Sequence, residues 1–432
     1  MAKAGWKPRR LDELGFVGRG KSRHRPRNEG RLYGGPYPFI QTADVMAADP
    51  YITSYSQTYS EFGFQQSKMW PPDTLCMTIA GANTAKTAIL KIEACFPDSM
   101  VGFIPDKSKS DLYFVKYSLD LMRHRFLSVS RGATQDNLSL DKLLSFPIPA
   151  PDVDEQRRIG AILSAYDELM ENCQRRIRIL EAMARALYRE WFVHFRFPGW
   201  DKLPSPRGRR AGDEGAPHEK LPRVLSPLGD IPQGWEVETV GESFEISGGG
   251  TPSRKEPEYW ESGTIQWFSP SDLTGAGTMF MDDSSDHITD RGLAESSARL
   301  FPARSVMPTS RATIGAIAIN THEACTNQGF ITCLPNDRVP LFFLFQWLTE
   351  NVPTFQRMAS GATFKEISRG VFKTIELLQP PAELVRRFED AAAPMAEQSL
   401  SLQRRIQNLR QTRDLLLPRL LSGQVELETE AA

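Results

Sequence analysis

The sequence predicts a mixed α/β protein in which one domain-plus-helix layout occurs twice, its two long helices pairing as an antiparallel coiled coil about a pseudo-twofold axis. Apolar side chains at Ile159, Leu163, Tyr166, Met170, Cys173, Ile177, Leu180, Ala184, Leu187 and Trp191 alternate spacings of four and three, the seam of a helix that buries one stripe. The seam recurs 229 residues later as Phe388, Ala392, Met395, Ser399, Leu402, Ile406, Leu409, Arg413, Leu416 and Leu420. Matched islands stand ahead of both seams at nearly the same offset: Gly132-Ala133-Thr134 with Gly361-Ala362-Thr363, Glu93-Ala94-Cys95 with Glu323-Ala324-Cys325, and Asp44-Val45 with Asp272-Leu273. A period this long marks a duplicated domain, not a solenoid.

The first domain, residues 1–151, has strand-like segments at Tyr37–Ile40, Thr74–Ile79, Ala88–Glu93 and Val101–Ile104 and a helical one at Ser110–Phe126. Pro147, Pro149 and Pro151 close it. Asp152 or Asp154 can cap the first long helix, residues 152–197. Residues 198–229 read as a linker rich in proline and glycine. The second domain, residues 230–381, has strands at Ile265–Ser269, Ser305–Met307, Ala316–Asn320 and Phe330–Leu334, an amphipathic helix at Leu341–Ala359, and closure by Pro380-Pro381. The second long helix, residues 382–422, stops at Gly423 and leaves an acidic tail, 423–432. Pro394, inside the second seam, either kinks that helix or marks a broken first turn. An apolar stripe of roughly 50 Å, at about 1.5 Å per residue, calls for a partner. The matched offset favours the other copy over separate packing of each helix on its own domain.

The 432 residues and their composition fit a soluble protein of two or three domains. The longest apolar run, Val339 to Leu348, is too short to span a bilayer, and the N-terminus has no apolar signal core, so a cytoplasmic location is expected. Five cysteines without CxxC pairing and six histidines without HxH or HExxH argue against a zinc site. Net charge is −1, yet Met1 to Arg31 holds ten basic residues against three acids. Such a block suits a polyanion, nucleic acid above all, or forms a solvated terminus.

Polar loops supply the candidate DNA contacts. Gly248-Gly249-Gly250-Thr251-Pro252-Ser253-Arg254 offers free backbone amides, the hydroxyls of Thr251 and Ser253, and the Arg254 guanidinium. Its counterpart in the first domain, running from Gly18 to Arg27, supplies Arg19, Lys21, Arg23, Arg25 and Arg27. The loop of Ser310, Arg311 and Thr313 lies between two strands, and Asn83 to Lys86 holds the equivalent place. Arg131, Thr134 and Gln135, with Asn137, are matched by Thr363 and Lys365, with Glu366. Amides and carboxylates there can read base edges or cap the next helix. Ala80 to Thr87 mimics a phosphate loop only at its Lys-Thr end, since alanine occupies both glycine positions. Neither Asn-Pro-Pro-Tyr nor Asp-Pro-Pro-Tyr, GxSxG or HExxH occurs, so no catalytic residue and no metal ligand is assigned.

Several motifs resemble the specificity subunit of type I restriction-modification systems, and the resemblance covers nearly the whole chain. They are Gly248 to Ser253 with Glu258-Tyr259-Trp260, Trp267-Phe268-Ser269-Pro270-Ser271-Asp272-Leu273, Ile231-Pro232-Gln233-Gly234-Trp235, Glu155-Gln156, and Leu417-Pro418-Arg419-Leu420-Leu421-Ser422-Gly423. The chain departs from the family where Ala382-Glu383-Leu384 replaces an acid–Gln pair and where the linker is long and basic. The resemblance implies that the two domains are target recognition domains, each reading half of a bipartite, asymmetric site on double-stranded DNA. It implies that two copies of a modification subunit bring S-adenosylmethionine for adenine methylation, and that restriction subunits add ATP- and Mg2+-dependent translocation and cleavage. None of those cofactors is expected in this chain. A self-contained DNA-modifying enzyme and a homodimerising DNA-binding regulator are the competing readings.

Overall fold

The computed structural model describes residues 5–48, 50–81, 83–130, 137–199, 223–361, 364–425 and 427. Two compact units result, one of residues Met1–Arg175 with Gln403–Ala432, the other of Arg176–Leu402, so each long helix contributes to both.

The first unit is built on a five-stranded sheet in the order Gly15–Arg19, Met100–Pro105, Leu75–Thr78, Thr87–Leu90, Tyr51–Ile52. Neighbours are antiparallel except for the last pair, which is parallel. The second unit repeats this order with Glu245–Gly248, Ile331–Leu334, Val306–Pro308, Ile317–Asn320 and Phe280–Met281, again ending in a parallel pair. A smaller sheet accompanies each. Tyr33–Phe39 pairs in parallel with Ala94–Cys95, and Ile265–Phe268 with Ala324–Thr326. A short antiparallel pair ties each domain's entry to its exit: Lys7–Arg9 with Ile148–Ala150, and Glu236–Thr239 with Glu376–Gln379.

The duplicated islands gain a physical meaning. The Ala-Cys pairs are the fully buried strands that run beside Phe39 and Trp267. Asp44 and Asp272 each close a capping box and pin a distant loop. Asp44 Oδ2 accepts from Gln41 N at 2.7 Å and its Oδ1 from Ser56 N at 3.1 Å. Asp272 accepts from Ser269 N and Ser285 N at the same two distances. Burial pushes the Asp272 carboxyl up, but the bonds from Ser285 and Ser269 outweigh it and hold it below its usual value.

The long helices are Val153–Tyr188, prolonged by a π-helical turn at Arg189–Val193, and Ala382–Leu421. Every position of both seams is buried or half-buried. In the first unit, Ile159 and Leu163 share a core with Leu420 and Leu421. In the second, Tyr188 and Phe192 share one with Leu384, Phe388 and Ala392. The start of each helix thus meets the end of the other, which is the antiparallel pairing. The second helix continues without a break through the exposed Pro394, so the proline does not end a first turn. One boundary shifts: Arg223–Ser226, placed in the linker by composition, pairs with Gly229–Pro232 in a hairpin. Its Ser-Pro-Leu-Gly turn explains the error, since Gly229, at φ +93, is turn chemistry that also reads as linker. Gly423 ends the second helix with φ +71, as a C-terminal glycine should. Val425 and Leu427 of the expected acidic tail pack against the first unit's core.

Candidate nucleic-acid interface

Four chain segments converge in each unit on one backbone framework. In the first, Gly20 N donates to Met100 O (2.9 Å), Lys21 N to Phe96 O (3.0 Å), Ile79 N to Ser99 O (3.0 Å) and Leu138 N to Ile79 O (2.9 Å). In the second, Gly250 N donates to Thr326 O (2.9 Å), Ser310 N to Gly329 O (2.7 Å) and Ile367 N to Ser310 O (3.0 Å). The hairpin loops match as well. Thr78 Oγ1 donates to Asn83 O at 2.5 Å and accepts from Lys86 N at 3.1 Å. Thr309 Oγ1 donates to Thr313 O at 2.5 Å and accepts from Ala316 N at 3.0 Å. Asn83 to Lys86 therefore does hold the place of the Ser310–Thr313 loop. Asn83, Thr313 and Lys86 enter this framework through their backbones; Asn83 and Thr313 are exposed and Lys86 half-buried.

The side chains on this shared frame differ. In the first unit Arg19, Arg25 and Arg27 meet at Asp98. Arg19 Nε and Nη2 donate to Asp98 O at 3.0 and 2.6 Å, and Arg27 Nη2 lies 2.6 Å from Oδ1. Arg25 Nη2 stands 3.7 Å from Oδ2, while its Nη1 donates to the Ser22 and His24 carbonyls at 2.7 and 2.8 Å. Beside them opens a cleft of about 450 Å³ lined by Arg19, Arg27, Ile79, Asp98, Ser99 and Asn137. Arg23 is exposed and Lys21 half-buried in the same loop.

In the second unit Arg311 and Lys365 share one surface. Ala312 N donates to Lys365 O at 3.1 Å, and Arg311 Nε lies 3.7 Å from Glu366 Oε2. Thr251 Oγ1 donates to Gln328 Oε1 at 2.7 Å, which joins the glycine-rich loop to the same framework. Arg131, Thr134, Gln135 and Thr363 lie outside the described residues.

Three expectations are corrected. The amides of Gly248–Gly250 are not free: Gly248 pairs with Ile331 in the sheet, and Gly250 donates to Thr326. These glycines answer crowding, because a Cβ at Gly249 would sit 2.0 Å from Asn327 O and one at Gly250 2.2 Å from Ser297 O. Ser310 is buried, its backbone spent on the framework. Arg254 is spent internally: it pairs with Asp286 at 2.5 Å and stacks over Trp260 with Cζ 3.5 Å from the ring centre, while Trp260 Nε1 donates to Ser253 O at 3.0 Å. Asp98, Gln328 and Glu366 lie beside the expected cations and hydroxyls; the repeat offset, which pairs the segments around residues 98 and 328, was the signal that pointed to two of them.

A duplicated double-sheet framework with unlike polar side chains on its two copies, joined by paired helices, defines a two-headed recognition protein with no sign of a shared active site among its described residues. The chain belongs to the type I restriction modification DNA specificity family, whose model matches residues 3–182 and 232–384. It is 35% identical over 159 residues to the type I restriction enzyme MjaIX specificity subunit of Methanocaldococcus jannaschii, a match spanning 36% of each chain. It is 24% identical over 348 residues to the HindI specificity subunit of Haemophilus influenzae, across 70% of this chain and 74% of that one. The crystal structure of the type I restriction-modification system S subunit from M. genitalium has the same fold, with a TM-score of 0.60 at 17% identity over 98% of this chain and 97% of that one.

Proposed function

We propose that this specificity subunit binds a bipartite, asymmetric DNA site, one half per unit, and positions two methyltransferase subunits and the restriction subunits on it without chemistry of its own. The observation that supports this best is the shared framework with different side chains: one geometry for docking on a duplex, two sets of readers. S-adenosylmethionine, ATP and Mg2+ would then be bound by the partner subunits. No helix among the described residues is long and apolar enough to cross a membrane, which accords with a cytoplasmic complex on DNA. Mapping N6-methyladenine in the host genome with and without this gene tests the reading. It predicts that one split, non-palindromic motif loses its methyl groups; an unchanged map, or methyl transfer by the purified chain alone, would refute it.

A further inference from the structure

We propose that the cleft beside Arg19, Arg25 and Arg27 is a DNA-phosphate site of the first unit alone, and that Asp98 occupies it as an internal counter-ion when DNA is absent. The proposal rests on the DNA-binding reading above and adds to it a ligand group and a competitor.

Three guanidiniums converge on one aspartate, leaving two positive charges without an acid among these four residues. The arginines are also aimed by backbone acceptors: Arg19 by the Asp98 carbonyl, Arg25 by those of Ser22 and His24. Their positions therefore do not depend on the Asp98 carboxylate alone. A guanidinium fork matches a phosphate diester's two free oxygens as well as a carboxylate's. The cleft of about 450 Å³ at this point has room for such a group, with the Ser99 and Asn137 segments on its other side.

The second unit lacks the arrangement. Offset by 229, Gly248, Glu256 and Asn327 stand where Arg19, Arg27 and Asp98 stand, and Arg254 is held by Asp286 and Trp260. Counter-ion release should thus come mainly from the first unit. Asp98 also lowers the attraction of the free cleft for any phosphate, so it disfavours binding to random DNA.

The test uses the full chain, a labelled random-sequence 40-base-pair duplex (a length of about four helical turns), and binding measured by anisotropy across a series of KCl concentrations. Asp98→Asn keeps an oxygen for Arg27 and removes the charge. It should tighten binding several-fold and steepen the salt dependence by about one released ion. Arg27→Gln and the double variant Arg19→Gln/Arg27→Gln should weaken binding and flatten the slope by about one ion per arginine. Thermal melting checks that each variant folds. If the unaltered chain binds the duplex while Asp98→Asn is neutral or weaker and the arginine variants keep the full slope, the phosphate site is wrong and the DNA-binding reading survives. Failure of the unaltered chain to bind any duplex would overturn both.

Discussion

Arg413 Nη1 lies 2.5 Å from Oδ1 of Asp167, a carboxylate whose side chain is 1% exposed. The pair joins the end of the second long helix to the first, and Asp167 Oδ2 also accepts from Tyr117 Oη at 2.5 Å. At the positions 229 residues away the seam carries Ala396 and Ala184, both buried. One crossing of the helices is therefore charged and the other apolar, a difference that marks register and partner.

Breaking that pair on one side strands a buried charge. Asp167→Ala or Arg413→Ala should each cost about 3–5 kcal/mol in denaturant unfolding. The double variant, which copies the Ala–Ala crossing of the second unit, should cost clearly less than the sum of the two. Additive losses would show that the pair is not coupled.

The helix that follows each main sheet is capped in two different ways. In the first unit Asp111 Oδ1 accepts from Phe114 N at 2.9 Å, and Gly160 makes room, since a Cβ there would come within 2.2 Å of that oxygen. In the second unit Pro340 and Glu389 hold the matching positions, and Glu389 reaches across from the long helix to accept from Phe342 N (3.0 Å) and Phe343 N (3.1 Å). Glu389→Ala should cost about 0.5–2 kcal/mol, the range of a lost N-cap. Burial raises the Glu389 carboxyl above its usual value of 4.5, and the nearby Asp390 adds to this, against the two amide bonds. The fold thus holds this proton more tightly than the unfolded chain, and its stabilising contribution, complete below 4.5, fades as pH rises through the elevated value. Glu389→Gln should gain on the parent as pH rises above that point; a constant difference from pH 4 to 8, roughly the span over which such a carboxyl titrates, would contradict this.

Glycine by glycine, the loop at residues 248–250 offers a sharp comparison. Gly249→Ala places a methyl against Asn327 O and should destabilise the second unit by about 1–3 kcal/mol. Gly275→Ala, in the short helix Pro270–Ala276 with nothing within 4 Å of its Cβ, should be neutral or stabilising by up to about 1 kcal/mol. Equal effects in thermal melts would remove the crowding explanation.

The seam, the duplication and most central strands were legible because burial imposes a period: four-three spacing along the helices and short β-rich runs such as Val101–Ile104. The smaller sheets escaped because Ala94–Cys95 and Met69–Trp70 are two-residue strands whose pairing is set by tertiary contact. At the interface the sequence located the loops but not their internal obligations. Composition does not distinguish an arginine offered to DNA from Arg254, which Asp286 and Trp260 hold from distant positions in the chain. Nor does it show that a Gly-Gly-Gly run relieves crowding instead of exposing amides. Gln156 illustrates the same limit: its side chain binds Asp111 N, Lys109 O and Pro151 O, whereas its counterpart Val385 is simply buried.

Selection of bound duplexes from a random library by the full chain reads the central claim most directly. Two unlike sequence blocks separated by a constant unspecified gap are expected, with Arg311→Ala relaxing positions in one block only. A single contiguous block, or a palindrome, would mean that the two units do not read separate halves of one site.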